Sequence, residues 1–326
     1  MHQRGATPAF FEKTKGEETM KKTLALALLL ALLCSACLAE SAFQAPTLLD
    51  QSELAGISTH YLLYDRDYYE APDEHPGTVV KIKYTTNMYD KAYKKFLNVY
   101  LPYGYDENGT ERYPVIYFFH GRGCDPNTLI GNEATKNAFD HMISTGIVRP
   151  FILVTPTYYY GRGTNYDSEK FVQEFRQEIM PLVEGTYRTY AETADEAGFQ
   201  ASRDYRAISG FSMGSMVTWS LLGNMLDVSA YFLPFSGASA NLESLRGILD
   251  GFEGKFFIYM ASGGPEDGAF EGCAALARSL AADGLFSYGP DFTANNFYYV
   301  ASDNIHQDLT SRYYLYNAFL DGLFQE

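Results

Sequence analysis

Residues 205–226 read YRAISGFSMGSMVTWSLLGNML, and this stretch decides the architecture. YRAIS (205–209) is short and mostly apolar, as a buried strand is. Gly210-Phe211-Ser212-Met213-Gly214 fits G-x-S-x-G, and MVTWSLLGNML continues as a helical stretch. A serine at such a strand-to-helix turn sits on a strained backbone that lifts its hydroxyl clear of the sheet. The two glycines suit a turn in which neighbouring backbone leaves no room for a Cβ. Ser212 is therefore the candidate nucleophile. Trp219, on the same helix, reads as core.

The same grammar repeats on both sides. PVIYFF (114–119), PFILVT (150–155), YFLPF (231–235) and KFFIYMA (255–261) are continuous apolar runs, expected of parallel strands covered on both faces. TVVKIKY (78–84) and FLNVYL (96–101) come earlier as strand, turn, strand, and NNFYYVA (295–301) is the last strand. Helices are expected over Glu169–Tyr187, over Met213–Leu226, and for roughly four turns near 309–324. Strand-helix alternation of this kind predicts the α/β class, with a mostly parallel central sheet flanked by helices. No internal repeat or second domain is visible. One catalytic domain is expected over 78–326, behind a turn-rich lead-in at 40–77.

The amino-terminal residues have a different character. Met20-Lys21-Lys22-Thr23 begins a basic region, Leu24–Leu33 is apolar, and Ser35-Ala36-Cys37-Leu38-Ala39 is small-residue rich. That layout is a secretory signal peptide, too short for a stable membrane span. Cleavage after Ala39 would release a secreted protein. Cys37 also resembles a lipoprotein cleavage site, at which the chain would be anchored to the cell surface instead. Residues 1–19 do not belong before a signal peptide, and the purine-rich codons that Lys15-Gly16-Glu17-Glu18 allows suggest a misplaced start, with translation beginning at Met20. Beyond the leader only Cys124 and Cys273 remain, too few for a disulfide framework, and no bridge is expected.

The 326 residues carry a formal net charge of −15, which repels phosphate backbones and argues against a nucleic-acid partner. Aromatics are abundant, with 27 Tyr and 23 Phe, enough to supply both core and flat binding surfaces. No metal or cofactor is expected.

Chain order supplies the partners of Ser212. On a nucleophile elbow the acid and then the histidine follow the serine. Of the six histidines only His306 lies beyond Ser212, a short loop after NNFYYVA, so it is the expected general base. The acid belongs in the loop after KFFIYMA, Ser262-Gly263-Gly264-Pro265-Glu266-Asp267-Gly268, where Asp267 is the first choice and Glu266 the second. Asp303, so close to His306 in the chain, has poorer leverage. For an oxyanion hole the Met213 amide is one donor, and Gly121 or Arg122, in His120-Gly121-Arg122-Gly123 after PVIYFF, supplies the other. His120 precedes the serine and reads as a brace for this loop. Tyr158-Tyr159-Tyr160 should overhang the same face, either as a stacking platform or as a buried anchor.

With these residues in place, the chain resembles the esterase D-like α/β-hydrolases, especially bacterial feruloyl and acetylxylan esterases of carbohydrate esterase family one. The matching stretches, in family order, are TVVKIKYTTNMY, LNVYLPYGYD, PVIYFFHGRG, FVQEFRQEIMPLVEGTYRTYAE, YRAISGFSMGSM and GGPED. They run through most of residues 78–324. The resemblance implies an α/β-hydrolase fold and Ser212, Asp267 and His306 as a triad. It implies hydrolysis of feruloyl or acetyl esters of plant cell-wall polysaccharide or its oligosaccharides through an acyl-enzyme. Arg122 and Ser215 stand where the family often has glycine. Other readings are a siderophore-ester hydrolase, acyl transfer to a sugar, a peptidase, and a binding protein on a dead hydrolase scaffold. The leader argues against the siderophore reading. The intact serine, acid and histidine argue against the dead scaffold.

Overall fold

The apolar runs pair into one eight-stranded sheet in a computed structural model that describes residues 72–326, except Ile147, Pro265, Asp303, Asn304 and Glu326. The leader over 1–39, Cys37 within it, and the lead-in up to residue 71 lie outside the described residues. The strands are β1 (Thr78–Thr86), β2 (Tyr93–Leu101), β3 (Val115–Phe119), β4 (Ile152–Thr155), β5 (Arg206–Phe211), β6 (Tyr231–Phe235), β7 (Phe257–Ser262) and β8 (Phe297–Ala301). Their spatial order is β1-β2-β4-β3-β5-β6-β7-β8. β2 is antiparallel to both its neighbours and every other pairing is parallel, so β2 alone runs against the sheet.

Burial explains the sequence pattern. Every residue of β3, β4, β5, β6 and β7 is buried, which is why these segments read as unbroken apolar runs. β1 alternates instead, because it lies at the sheet edge with Lys81 and Lys83 exposed on one face. The Lys81 ammonium rests 4.3 Å from the centre of the Phe96 ring on β2. At the other edge, Tyr288 bridges to Phe297 and covers the start of β8.

Eight α-helices flank the sheet among the described residues: α1 (Glu133–Ser144), α2 (Ser168–Glu174), α3 (Met180–Glu184), α4 (Glu196–Ala201), α5 (Met213–Met225), α6 (Leu242–Leu249), α7 (Phe270–Ala281) and α8 (Ser311–Leu320). The helix expected over 169–187 is thus interrupted. α2 and α3 are joined by a π turn, Phe175–Ile179, with the Met180 N–H bonded to the Phe175 carbonyl. Pro181 is the cause: it has no N–H, and its ring crowds the carbonyl four residues back, so the turn before it widens. The final helix is shorter than expected, ending at Leu320.

α3 carries Glu184, fully buried against Arg206 at the start of β5. The guanidinium donates to Glu184 Oε1 (2.7 Å) and Oε2 (2.6 Å), and also to the carbonyls of Phe199 and Val228 and to Ser202 Oγ. Tyr117 and Thr189 hydroxyls complete the carboxylate. Every charge is met, so the network fixes the base of β5 rather than straining it.

The chain runs from β3 out to β4, then crosses back to β5 on the other side of β3. Where a doubly wound sheet reverses in this way, the strands' carboxyl ends open a crevice. Ser212 follows β5 at that point, and the 120–123 loop follows β3 beside it. No helix among the described residues is long and apolar enough to cross a membrane.

Candidate active site

Ser212 sits between β5 and α5 with φ 55° and ψ −112°, a left-handed conformation that few residues other than glycine adopt. The Ser212 N–H donates to the Phe235 carbonyl at the end of β6 (2.9 Å), which pins the turn. A Cβ on Gly210 would lie 2.3 Å from the Gly214 carbonyl oxygen. One on Gly214 would lie 2.0 Å from the Phe119 carbonyl oxygen. Both motif glycines are therefore required by close backbone approach, and the second seats α5 directly on the end of β3.

His306 lies in the loop after β8. Its Nε2 is 2.8 Å from Ser212 Oγ and its Nδ1 is 2.6 Å from Asp267 Oδ1. With its proton on Nδ1, the imidazole donates to Asp267 and accepts from the serine hydroxyl. The structure thus brings together Ser212, His306 and Asp267, while Glu266 is exposed. Asp303 lies outside the described residues.

Asp267 is buried, yet its carboxylate is fully occupied. Oδ2 accepts from Ser236 Oγ (2.7 Å) and Gly263 N–H (2.8 Å), and Oδ1 accepts from Ala269 N–H (3.0 Å) beside His306. Burial pushes its pKa up, but the hydrogen bonds from His306, Ala269, Ser236 and Gly263 outweigh burial and hold it at about 2. The bond to Asp267 in turn raises His306 above the ordinary imidazole value, against the opposing effect of burial and with help from the charges of Asp267 and Asp308. Sequence reasoning missed Ser236. It follows β6 in a left-handed conformation (φ 47°), its N–H bonded to the Ala261 carbonyl, and only the pairing of β6 with β7 brings it under the acid.

The loop after β3 is held on several sides. Tyr158 OH donates to the His120 carbonyl (2.8 Å), and the His120 ring bonds the Gly121 carbonyl (2.9 Å) and Thr157 Oγ1 (2.9 Å). His120 is a brace, its pKa lowered by burial. The Gly123 N–H donates to Tyr159 OH (3.0 Å). The Gly121 N–H donates to Asp308 Oδ1 (2.6 Å), which corrects the expectation that Gly121 could serve as an oxyanion donor. The Arg122 N–H has no acceptor among the described residues, so it pairs with the Met213 N–H, first of α5 and without an intrahelical acceptor, as the candidate donor set.

The tyrosine run is also corrected as a platform. Tyr158 is fully buried and stacked on His120 (centroids 4.7 Å apart). Tyr159 packs between His120 and Met213, and Tyr160 stacks on Tyr89 of the β1–β2 turn (4.3 Å). These rings serve the loop from behind; none lines the cleft over Ser212.

That cleft, about 720 Å³, is lined by Arg122, Met213, Met216, Ala238, Ala269 and His306, together with Ser212 and neighbouring small residues. Met216 is half exposed there, a polarisable thioether suited to an aromatic face. Trp219, buried as expected, donates from Nε1 to the Gly237 carbonyl (3.0 Å), and Ser215 Oγ donates to the same oxygen (2.7 Å), fixing the cleft wall. Cys124 and Cys273 are free thiols. No cluster of three metal-ligating side chains occurs among the described residues.

Residues 93–222 match the family described as "Putative esterase". The chain is 37% identical over 265 residues to endo-1,4-beta-xylanase Y of Acetivibrio thermocellus, covering 77% of this chain and 24% of that protein. It thus spans about a quarter of that relative's length. Among solved structures it is 36% identical to a mutant of the feruloyl esterase module from Clostridium thermocellum complexed with sinapinate, covering 80% of this chain and 92% of that one, with a TM-score of 0.71. A ferulic acid esterase of carbohydrate esterase family one from the anaerobic fungus Anaeromyces mucronatus, 20% identical over 79% of this chain and 95% of its own, shares the fold with a TM-score of 0.57.

Proposed function

This chain belongs to the esterase family of α/β-hydrolases and is a serine carboxylic-ester hydrolase, and from that premise we propose that it removes feruloyl-type groups from plant cell-wall polysaccharide. The observation that carries the proposal is the hydrogen-bonded relay Ser212–His306–Asp267 at the foot of a cleft with methionine and alanine walls. A cleft of about 720 Å³ is far larger than an acetyl group fills, and its apolar lining suits a flat phenolic acyl chain.

In this reading His306 takes the Ser212 proton as Oγ attacks the ester carbonyl. The Met213 and Arg122 amides receive the oxyanion, and His306 returns the proton to the departing sugar hydroxyl. Water, deprotonated by the same imidazole, then releases the acid and regenerates the serine. Asp267 holds the imidazole with Nε2 facing Ser212 and stays ionised throughout. Relatives are described as a xylanase and as a xylanase/feruloyl esterase, which supports a xylan-type substrate. The leader at 20–39 supports export, as a free enzyme or one lipidated at Cys37.

The test is hydrolysis of methyl ferulate beside p-nitrophenyl acetate by wild type and Ser212→Ala. Ferulate turnover that falls at least about 10⁴-fold in the variant is the expected result. Serine-dependent acetate turnover alone would replace feruloyl by acetyl as the acyl group. Turnover of neither ester would overturn the proposal.

A further inference from the structure

Asp308 lies two residues beyond His306 and opens the short turn, Asp308–Thr310, that leads into α8. No motif marks it, yet its carboxylate reaches across to the loop after β3. Oδ1 accepts the Gly121 N–H at 2.6 Å and Oδ2 faces the Cys124 thiol at 3.5 Å. The approach is so close that a Cβ on Gly121 would lie 2.6 Å from Oδ2, so glycine at 121 is part of the arrangement. The carbonyl of the same residue is taken by the His120 ring at 2.9 Å. Both polar ends of residue 121 are thereby fixed, and the next N–H in the chain is that of Arg122, the candidate oxyanion donor.

We propose that Asp308 is a positioning residue for ester hydrolysis: it clamps Gly121 so that the Arg122 amide is held in register with His306. The clamp couples two halves of the site that no strand pairing joins, since the histidine loop follows β8 and the oxyanion loop follows β3. A displacement of either loop is transmitted to the other through one carboxylate. An oxyanion donor must already point at the developing charge to be useful, and a loop tied to the general base keeps that alignment. The inference rests on the serine-esterase reading above.

The electrostatic surroundings give the clamp a second signature. Charged and titratable groups near His306 are Asp267 from the loop after β7, Asp308 on its own loop, and Arg122 across the cleft. Those around Asp308 from the β3 side are Cys124, His120 and Tyr158, with Asp125 beyond them acting on His120 and Cys124. Removing the Asp308 charge withdraws one of the two carboxylates that favour the imidazolium, so the acid limb of the pH–rate profile should move to lower pH.

The experiment compares wild type, Asp308→Ala and Asp308→Asn on methyl ferulate, with rates normalised to active sites titrated by a fluorophosphonate. Asp308→Ala is expected to lower kcat about 10- to 100-fold with KM within about threefold, the pattern of a lost transition-state interaction. Asp308→Asn keeps an acceptor for the Gly121 N–H and should retain most of kcat, while both variants shift the acid limb downward. Unchanged kcat per titrated site in Asp308→Ala, or an acid limb unmoved in both variants, would overturn the clamp. Wild type and Ser212→Ala run alongside separate this failure from failure of the esterase reading, in which wild type turns over no ester or Ser212→Ala stays active.

Discussion

At the scale of single residues, the site depends on a few side chains held in unfavourable surroundings. Asp267 remains ionised in a buried position only because four donors converge on it, so Asp267→Asn should lower kcat about 10³- to 10⁴-fold. Glu266→Gln, at an exposed neighbour, should leave kcat within about twofold, and steady-state kinetics on one ester settles both. Hydrolysis needs the neutral imidazole, and the raised pKa of His306 keeps the proton on longer as pH increases. Activity should therefore rise with pH through a midpoint above the ordinary value of about 6.5, read from kcat/KM between pH 5 and 9. Ser212, Asp267 and His306 were legible because a motif fixes the first and chain order restricts the others. Ser236 and Asp308 were not legible, because each acts on a loop far away in the chain and carries no signature of its own. Tyr158 was open to misreading for a similar reason: three consecutive tyrosines look alike in sequence, and only the packed His120 ring shows that the first is enclosed.

Elements are positioned by charges as well as by apolar packing. Arg206 anchors β5, the strand that delivers Ser212, to the end of α3 through Glu184 with both side chains fully buried. Arg206→Met should destabilise the fold by about 3–5 kcal/mol, since Glu184 is then buried without a counter-charge. The Arg206→Met/Glu184→Met double variant should recover a large part of that loss, measured by urea unfolding. The strand pattern was readable from runs of apolar residues, to within two residues at most ends. The break between α2 and α3 was harder to read. Pro181 was visible, but the period of the surrounding apolar residues continued across it, and the chain absorbed the missing N–H in a π turn instead of ending the helix.

For the molecule as a whole, the parallel order of β4, β3, β5, β6, β7 and β8 places six loops at one rim of the sheet, and the proposed chemistry is distributed over the four that follow β3, β5, β7 and β8. Stability should carry a mark of one group far from that rim. Asp321 accepts from Tyr259 OH (2.8 Å), and burial raises its pKa to about 6 despite that bond. The folded chain therefore holds a proton that the unfolded chain has released, so this group's contribution favours folding at low pH and declines as pH rises through about 6. Asp321→Asn should be more stable than wild type by on the order of 1–3 kcal/mol at pH 7.5, the gain vanishing near pH 4 in parallel denaturation curves. Among the described residues no strand pairs with the outer side of β1, which bears on self-association. An unpaired strand is a template onto which a second copy can add, and growth by that route leads to fibrils. Lys81 and Lys83 are exposed on that strand, so a second copy adding there would bring its own lysines towards two ammonium groups, and that repulsion disfavours growth by this route.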